Sequence, residues 1–230
     1  MKKLIVLSGA GMSAESGIST FRDSNGLWEQ HRVEDVATPE GFAKKPELVL
    51  DFYNQRRRQL LKCQPNAGHT GLVALEKDFE VHIITQNVDN LHERAGSTRV
   101  IHLHGELMKS CSVTDLCTPY DIPPEHPDIN IGDKDTNGCQ LRPFIVWFGE
   151  DVPMIKPAAK LIQQADIVVV IGTSLNVYPA AGLLDCVNSG CPIFLIDPND
   201  VATYRRNIHF IRAGASKGVS ILTDMLKKMK

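Results

Sequence analysis

The chain has 230 residues, a length that one compact α/β unit can fill. Its 25 Lys and Arg residues are balanced by 27 Asp and Glu residues, so the formal net charge of −2 provides no positive field for nucleic acid or an anionic membrane. Hydrophobic residues make up 43 %, which excludes a disordered chain, and no stretch approaches the roughly 20 apolar residues of a membrane span.

The six cysteines are too sparse for a disulfide scaffold, although Cys111, Cys117 and Cys139 lie close together in the sequence. The apolar run after Lys3 stops at Ser8, and no small-residue cleavage site follows it. We therefore expect this run to be a buried strand rather than part of a signal peptide, and the protein to be cytoplasmic with reduced thiols.

Four short apolar runs predict buried parallel strands. They are mostly β-branched and bounded by turn residues, as is typical of strands that helices cover on both faces. The runs are Leu4 to Leu7, Val81 to Thr85, Ile167 to Ile171 and Ile193 to Ile196. Helical spacing in Pro157 to Gln164 and a lysine-rich end in Ser220 to Lys230 predict helices. This alternation indicates an α/β fold with a doubly wound, Rossmann-like parallel sheet.

Two stretches interrupt the alternation. Residues 24–70 are polar and helix-prone, and residues 107–142 are rich in Cys, Pro, Asp and Gly. We interpret both as inserts that form a smaller lobe on a single domain spanning residues 1–230. The Rossmann-like core then comprises about residues 1–23, 71–106 and 143–230. Ligands of such sheets bind beyond the carboxyl ends of the strands, where inserts can wall a cleft.

The first candidate motif follows the first predicted strand and reads Gly9-Ala10-Gly11-Met12-Ser13-Ala14-Glu15-Ser16-Gly17-Ile18. Glycines let the backbone approach a phosphate, whose charge free N–H groups and a helix N-terminus can hold. Arg22, shortly after, could pair with a phosphate. A plain strand-to-helix turn is the alternative. No acidic strand end follows about 20 residues later, so a standard dehydrogenase is the least favoured enzyme class.

The second motif, Thr85 to His92, follows the second predicted strand. Five of its eight side chains are amides, carboxylates or imidazoles, where an ordinary turn needs one or two. An Asx turn with Asp89 or Asn90 as a helix cap would explain one of these residues and not the whole set.

The third motif, Ile101 to Gly105, carries His102 and His104. Strand alternation would place both imidazoles on one face, as a metal pair or with either one as a general base. The alternative for each is a hydrogen-bonded histidine of the core.

The fourth motif, Gly172-Thr173-Ser174, directly follows the third predicted strand. Its small and hydroxyl side chains suit contacts with a ribose or an adenine. A routine turn is the alternative at this position.

In this order, the four motifs resemble the sirtuin family of NAD-dependent protein deacylases. The resemblance runs from residue 4 to about residue 220 and includes Val146-Trp147-Phe148-Gly149-Glu150 and Leu175-Asn176-Val177-Tyr178-Pro179. It implies NAD as a consumed co-substrate and acyl-lysine proteins as the other substrate. The products would be nicotinamide, lysine and an O-acyl-ADP-ribose.

The resemblance also implies a role for each residue of the site. Asn87 and Asp89 would position nicotinamide and its ribose, and the acyl oxygen would attack the anomeric carbon as nicotinamide leaves. His104 would then act as general base on a ribose hydroxyl, which makes these three residues the implied catalytic set. The implied NAD-binding residues are Gly9, Ala10, Gly11, Ser13, Ala14, Gly17, Ile18, Phe21, Arg22, Gln86, Asn87, Val88, Asp89, His104, Gly172, Thr173, Ser174, Asp197 and Ala215.

Tyr53 and Arg56 resemble the Tyr-x-x-Arg element of the sirtuin class that removes succinyl and malonyl groups. Three residues apart on a helix, they share a face, where a guanidinium offers a carboxylate two hydrogen bonds and a phenol offers one. A solvated basic face, Arg56 to Arg58, is the alternative. The other implied substrate-binding residues are Phe148, lining the lysine tunnel, and Gly149, Glu150, Val177 and Tyr178, against the substrate backbone.

Two departures from the family pattern concern zinc and adenosine. Many sirtuins hold zinc with two Cys-x-x-Cys pairs, whereas this chain has no such pair, and its three clustered cysteines with His126 lack the usual spacing. We therefore expect no metal site. Asp197 stands where the family usually has Asn, and its carboxylate could still accept hydrogen bonds from ribose hydroxyls.

Two other functions use the same NAD chemistry. The chain could transfer ADP-ribose to protein, or it could be a silent NAD-binding regulator. His104, Asn87 and Asp89 are all present, which argues against the silent regulator. We also expect a monomer that binds neither nucleic acid nor membranes directly.

Overall fold

The computed structural model describes residues 1–18, 31–173, 175, 178–201, 203 and 207–229. The strands in these ranges are β1 (Lys3–Ser8), β2 (Glu80–Thr85), β3 (Val100–His102), β4 (Gly105–Ser112), β5 (Tyr120–Asp121), β6 (Leu141–Ile145), β7 (Ile167–Ile171), β8 (Ile193–Ile196) and β9 (Ile208–Ile211). Six of them form one parallel sheet in the order β3-β2-β1-β7-β8-β9, and β5, β4 and β6 form a small antiparallel sheet.

The strand order of the large sheet reverses between β1 and β7. Counting only its six parallel strands, the order is 3-2-1-4-5-6, that of a doubly wound dinucleotide fold. The predicted α/β fold is therefore confirmed. Ser8 pairs with Thr85 on one side and with Ile171 on the other, so the carboxyl ends of the three strands meet at the reversal point, where such sheets bind ligands.

Helices cover both faces of this sheet. Those in the described ranges are α1 (Val33–Val36), α2 (Pro39–Lys44), α3 (Pro46–Lys62), α4 (Ala67–Leu75), α5 (Leu91–Ala95), α6 (Ile155–Ile162) and α7 (Ala215–Lys227), with 3₁₀ turns at Ala10–Met12, Ala14–Ser16 and Ala180–Cys186. The last helix begins at Ala215, earlier than the predicted Ser220. Gly218 lies inside it because a side chain there would collide with Ile196.

The apolar side chains of the parallel strands alternate between two cores. On one face, Val6, Ile83 and Val169 pack with Leu72 of α4 and Leu222 of α7. On the other face, strand side chains such as Ile5, Val168 and Leu195 pack against α6 and the Ala180–Cys186 turn. Burial on both faces explains why these strands read as continuous apolar runs.

Helix α3, in the first predicted insert, holds part of the second insert, residues 107–142. Two of its side chains hold the segment around Ile129: Asn54 exchanges hydrogen bonds of 3.0 Å with the backbone of Ile129, and Arg57 donates to the carbonyl oxygens of Pro127 and Leu107. Arg58 adds an exposed ion pair with Asp128 at 2.6 Å. The stretch of residues 107–142, which the sequence did not assign to strands, thus contains an antiparallel sheet held by α3.

Within the part of the chain that the structure describes, no helix has the length and hydrophobicity needed to cross a membrane.

Candidate active site

The glycine motif after β1 packs directly on the Gly172 turn after β7. The backbone N–H of Gly9 donates to the carbonyl of Ile171 (3.0 Å), and that of Gly11 donates to the carbonyl of Gly172 (2.9 Å). A Cβ on Gly11 would lie 2.7 Å from the Cα of Gly172, and one on Gly9 would lie 2.7 Å from the Cβ of Thr173. Both glycines are therefore required by close backbone packing between two strand-end turns, whatever they bind.

The rest of the motif turns through two short 3₁₀ segments. Ala10 and Ala14 begin these segments, and the second ends at Gly17, whose φ of 87° is in the left-handed region that glycine tolerates. Ile18 then packs partly buried against the cluster that contains Tyr53. The predicted NAD residues Phe21, Arg22 and Ser174 and the predicted substrate residue Val177 lie outside the described residues.

The polar motif after β2 forms a buried hydrogen-bonded set with Ser13. The Ser13 hydroxyl donates to Asp89 (2.9 Å), while the Asn87 amide donates to the Gly9 carbonyl (3.0 Å) and to the Ser13 hydroxyl (3.2 Å). Asp89 also accepts from the backbone N–H of Leu91, which forms an Asx turn at the start of α5, whereas the N-cap residue Asn90 makes no side-chain capping bond within the described residues. Burial raises the pKa of the Asp89 carboxyl, and the bonds from Leu91 and Ser13 partly oppose that rise.

Two other predicted NAD residues from different strand ends meet at this edge. The Gln86 amide donates to the Thr173 hydroxyl at 3.1 Å, which joins the β2 and β7 turns. Val88 lies next to them in the β2 turn, and its carbonyl accepts from the backbone N–H of Leu107 at 2.7 Å.

The predicted adenosine residues lie farther along the sheet. Asp197 follows β8, where its carboxylate accepts from the backbone N–H of Asn199 (2.8 Å), and Ala215 is buried at the first position of α7. Glu15 was not among the predicted site residues, and its carboxylate accepts from the backbone N–H of Ser216 at 3.1 Å. This bond joins the glycine motif to the first turn of α7.

β3 ends at His102, so His104 lies beyond the strand, and strand alternation does not place the two imidazoles on one face as a metal pair. His102 ends β3 and uses both ring nitrogens: Nδ1 lies 2.9 Å from the Asn87 carbonyl oxygen and Nε2 lies 2.8 Å from a Glu93 carboxylate oxygen. Both partners are acceptors, so both nitrogens must carry protons. Burial alone would lower the pKa of His102, but Glu93 and the Asn87 carbonyl raise it above its ordinary value.

His104 has the opposite environment. Its Nε2 is buried and, among the described residues, has no hydrogen-bond partner. Burial lowers the pKa of this imidazole, so it is neutral near pH 7 and can accept a proton. The Oδ1 atom of Asn90, in the neighbouring motif, is also buried without a partner in the described part of the chain. Unpaired buried polar atoms at a strand-end edge are typical of a site that a ligand completes.

Tyr53 and Arg56 lie together on α3. The Arg56 guanidinium carbon is 5.8 Å from the centre of the Tyr53 ring and 5.7 Å from that of Phe52. Burial lowers the pKa of Arg56, and electrostatic interactions with Tyr53 and with the Asp89 carboxylate partly offset this effect. The Arg56–Arg58 run is therefore not a solvated basic face, since only Arg58 is exposed and Arg57 is fully buried.

The remaining substrate residues have different surroundings. Phe148 and Tyr178 are exposed, at 52 % and 76 %, and Gly149 has a φ of 93°. The Glu150 carboxylate accepts from Arg142 at 2.6 and 3.1 Å and from the Trp147 backbone N–H at 2.8 Å. A contact of Glu150 with substrate would accordingly have to use its backbone.

The clustered cysteines do not converge on a metal geometry. Cys111 is buried, Cys139 is half-buried and Cys117 is exposed, and all three are free thiols. Burial raises the pKa of Cys111 to about 11, so its thiol stays protonated. Among the described residues, no three His, Cys, Asp or Glu side chains are placed to hold a metal ion.

Known proteins of one family are similar to this chain. A model described as the Sir2 family matches residues 9–179. The chain belongs to the Sir2 family. An NAD-dependent protein deacylase of Bacteroides thetaiotaomicron is 59 % identical over 230 residues, covering 98 % of each chain, and one of Helicobacter pylori J99 is 50 % identical over 100 % of this chain and 96 % of its own.

Solved Sir2 structures match over almost the whole chain. A Sir2 homologue in complex with NAD has a TM-score of 0.87 and 38 % identity, over 99 % of this chain and 90 % of that one. A complex of Sir2 with a p53 peptide and NAD+ has a TM-score of 0.79 and 30 % identity, over 97 % and 93 % of the two chains. The resemblance to the sirtuin family that the sequence motifs indicated is therefore confirmed.

Proposed function

We propose that this chain is an NAD-dependent protein-lysine deacylase that prefers acidic acyl groups, such as succinyl and malonyl, and also removes acetyl. The observation that carries the proposal is the half-buried, neutral His104 after β3, whose buried Nε2 is unpartnered in the described part of the chain, together with the Ser13–Asn87–Asp89 set at the carboxyl ends of β1 and β2. The names of the Sir2 relatives and the NAD complex of a Sir2 homologue support the same reaction.

The residues of this edge fit NAD. The unpartnered atoms of His104 and Asn90 are polar and buried, and the Ser13–Asn87–Asp89 set is held rigid by its own hydrogen bonds. Bound NAD would supply an electrophilic ribose carbon with nicotinamide as its leaving group. Asn87 and Asp89 would orient the ribose and the amide, and Nε2 of His104 would take a proton from a ribose hydroxyl.

The acidic-acyl preference rests on Arg56 and Tyr53. Arg56 is a half-buried cation beside the Tyr53 ring and within electrostatic range of Asp89, which supports a site for an acyl carboxylate near the proposed catalytic edge. A guanidinium pairs with a carboxylate through two charge-assisted hydrogen bonds, which an acetyl group cannot form.

The first test measures nicotinamide release from NAD in the presence of acetyl-, malonyl-, succinyl- and glutaryl-lysine peptides, with mass spectrometry of the products. We expect O-acyl-ADP-ribose and the peptide with its lysine unmodified as products, and faster turnover of the peptides with acidic acyl groups. ADP-ribose attached to protein would instead identify a transferase, and NAD binding without nicotinamide release would identify a silent regulator.

The second test replaces Arg56 with Met. Loss of a buried charge partner should lower kcat/KM for desuccinylation on the order of 100-fold. Deacetylation should fall much less. Arg58→Met, an exposed arginine on the same helix, is the matched control and should leave the ratio of the two activities unchanged. Equal losses of both activities in Arg56→Met would refute the pocket assignment.

The proposal also includes the expectations of a cytoplasmic monomer whose partners are acyl-lysine proteins and which contacts neither nucleic acid nor membranes. Sedimentation of the purified chain as one species near 25.4 kDa would support the monomer. A concentration-dependent species of twice that mass would contradict it.

A further inference from the structure

Trp147, two residues after β6, forms a buried hydrogen bond with Tyr53 of α3. The indole Nε1–H donates to the Tyr53 hydroxyl oxygen at 3.0 Å, and the two side chains are only 2 % and 1 % exposed. An indole N–H can donate but not accept. The Tyr53 oxygen is therefore the acceptor of this bond, and its own proton is directed to some other acceptor.

The Trp147 ring is fixed from two directions. The Arg142 guanidinium carbon lies 3.4 Å from the centre of the indole, and Arg142 is itself held by both Glu150 carboxylate oxygens. Glu150 also accepts from the backbone N–H of Trp147. Because ring and backbone are both anchored, the indole cannot turn its N–H away from Tyr53 without losing its stacking contact with Arg142.

The geometry points to Trp147 as a positioning residue for acyl specificity: by donating to Tyr53, it commits the phenol to donate its proton to the carboxylate of an acidic acyl group. The inference rests on the proposed function, since it concerns the same pocket. Trp147 acts through Tyr53 and does not have to contact the substrate itself.

Two physical effects follow from this arrangement. A phenol that accepts one hydrogen bond becomes a stronger donor in the next, so the chain from Trp147 through Tyr53 strengthens the bond to a carboxylate. Burial also raises the pKa of Tyr53, which keeps the donated proton on the phenol at alkaline pH. An acetyl group has no carboxylate to receive the proton, so it gains from neither effect.

The test is a double-mutant cycle on Trp147→Phe and Tyr53→Phe, read as the ratio of kcat/KM for succinyl- and acetyl-lysine peptides. We expect Trp147→Phe to lower this ratio about three- to tenfold, the range of one neutral hydrogen bond. In the Tyr53→Phe background, Trp147→Phe should have no further effect on the ratio. A ratio unchanged by Trp147→Phe, or two effects that multiply in the double variant, would overturn the inference.

Two controls separate hydrogen bonding from packing. Phe42→Leu alters a ring that packs 5.3 Å from the Trp147 ring without removing a donor, and it should not change the ratio. If Trp147→Phe unfolds, benzothienylalanine at position 147 keeps the shape of the indole without its N–H, and it should reproduce the loss. A benzothienylalanine variant with the native ratio would contradict the inference.

The same data distinguish failure of the inference from failure of the proposed function. If Arg56→Met and Tyr53→Phe each lower both activities equally, the acidic-acyl pocket itself is wrong. If they lower desuccinylation selectively and Trp147→Phe does not, the pocket stands and only the role of Trp147 fails.

Discussion

His102 and His104 are two residues apart and differ in protonation because of their immediate surroundings. His102 is bracketed by two acceptors and carries a raised pKa, while His104 has no partner for its buried Nε2 among the described residues and carries a lowered one. From the sequence, both were equal candidates until the family motif favoured His104. The distinction depends on Glu93 and the Asn87 carbonyl, neither of which the His-x-His pattern identifies.

We predict that the His102–Glu93 pair stabilises the fold only within a pH window. The folded pKa of His102 is raised, so its contribution is complete below the ordinary histidine pKa and is lost as pH rises through the raised value. The folded pKa of Glu93 is lowered: burial alone would raise it, but the hydrogen bond and the charge of His102, with smaller backbone and Lys109 effects, together outweigh burial. The contribution of Glu93 is therefore lost as pH falls through that lowered value.

Urea unfolding of the native chain and of Glu93→Gln at a series of pH values measures this effect. The free energy of unfolding should differ most near pH 6, by about 1–2 kcal/mol, and the difference should shrink above the His102 pKa. His82 and Glu80 form a second such pair, whose histidine side chain is 18 % exposed against 7 % for His102, so Glu80→Gln is the matched control with a smaller effect. A difference that is constant from pH 6 to pH 9 would contradict the prediction.

At the scale of elements, helix α3 contributes side chains both to the proposed acyl-binding site and to the contacts that hold the segment around Ile129. Tyr53 and Arg56 lie on the pocket side, and Asn54 and Arg57 hold the segment around Ile129. The helical spacing of Tyr53 and Arg56 could be predicted from the sequence because it is local. The burial of Arg57 could not, since its partners are carbonyl oxygens of residues 50 and 70 positions away.

We predict that Arg57→Met destabilises the fold by about 3 kcal/mol, because it removes the donor to the carbonyls of Pro127 and Leu107 and one of the two donors to Oδ1 of Asn54. Thermal and urea unfolding would measure the loss. Arg58→Met removes an exposed ion pair on the same helix and should cost clearly less. Similar losses for the two variants would show that Arg57 does not anchor the lobe.

At the scale of the whole molecule, the sequence predicted the core better than the lobe. The four predicted strands are long apolar runs at the centre of the sheet, where burial on both faces leaves a clear signal. The edge strands β3 and β9 are only three and four residues long, and β9 is half-exposed. In the lobe, the register of β4 and β6 shifts between Gly105 and Ser110, which interrupts the period-two pattern of a strand.

The lobe should hold its structure without a metal. Asn54, Arg57 and Arg58 bind the segment of residues 127–129 directly, and the protonated Cys111 thiol is a poor metal ligand. We expect a chelator to leave the thermal midpoint unchanged and atomic emission to find no stoichiometric zinc. Stoichiometric zinc, together with a lower midpoint after chelation, would refute this expectation.

The close backbone packing between the turns after β1 and β7 also limits how the glycine motif can bind an anion. The backbone N–H groups of Gly9, Gly11, Met12 and Ser13 all donate to carbonyl oxygens of the protein itself. A diphosphate at this turn would find these four donors already engaged, unlike the open ring of amides in a phosphate-binding nest. Its charge would therefore have to be balanced by the other backbone N–H groups of the motif and by a side-chain cation, and the part of its binding that depends on the cation should weaken with salt.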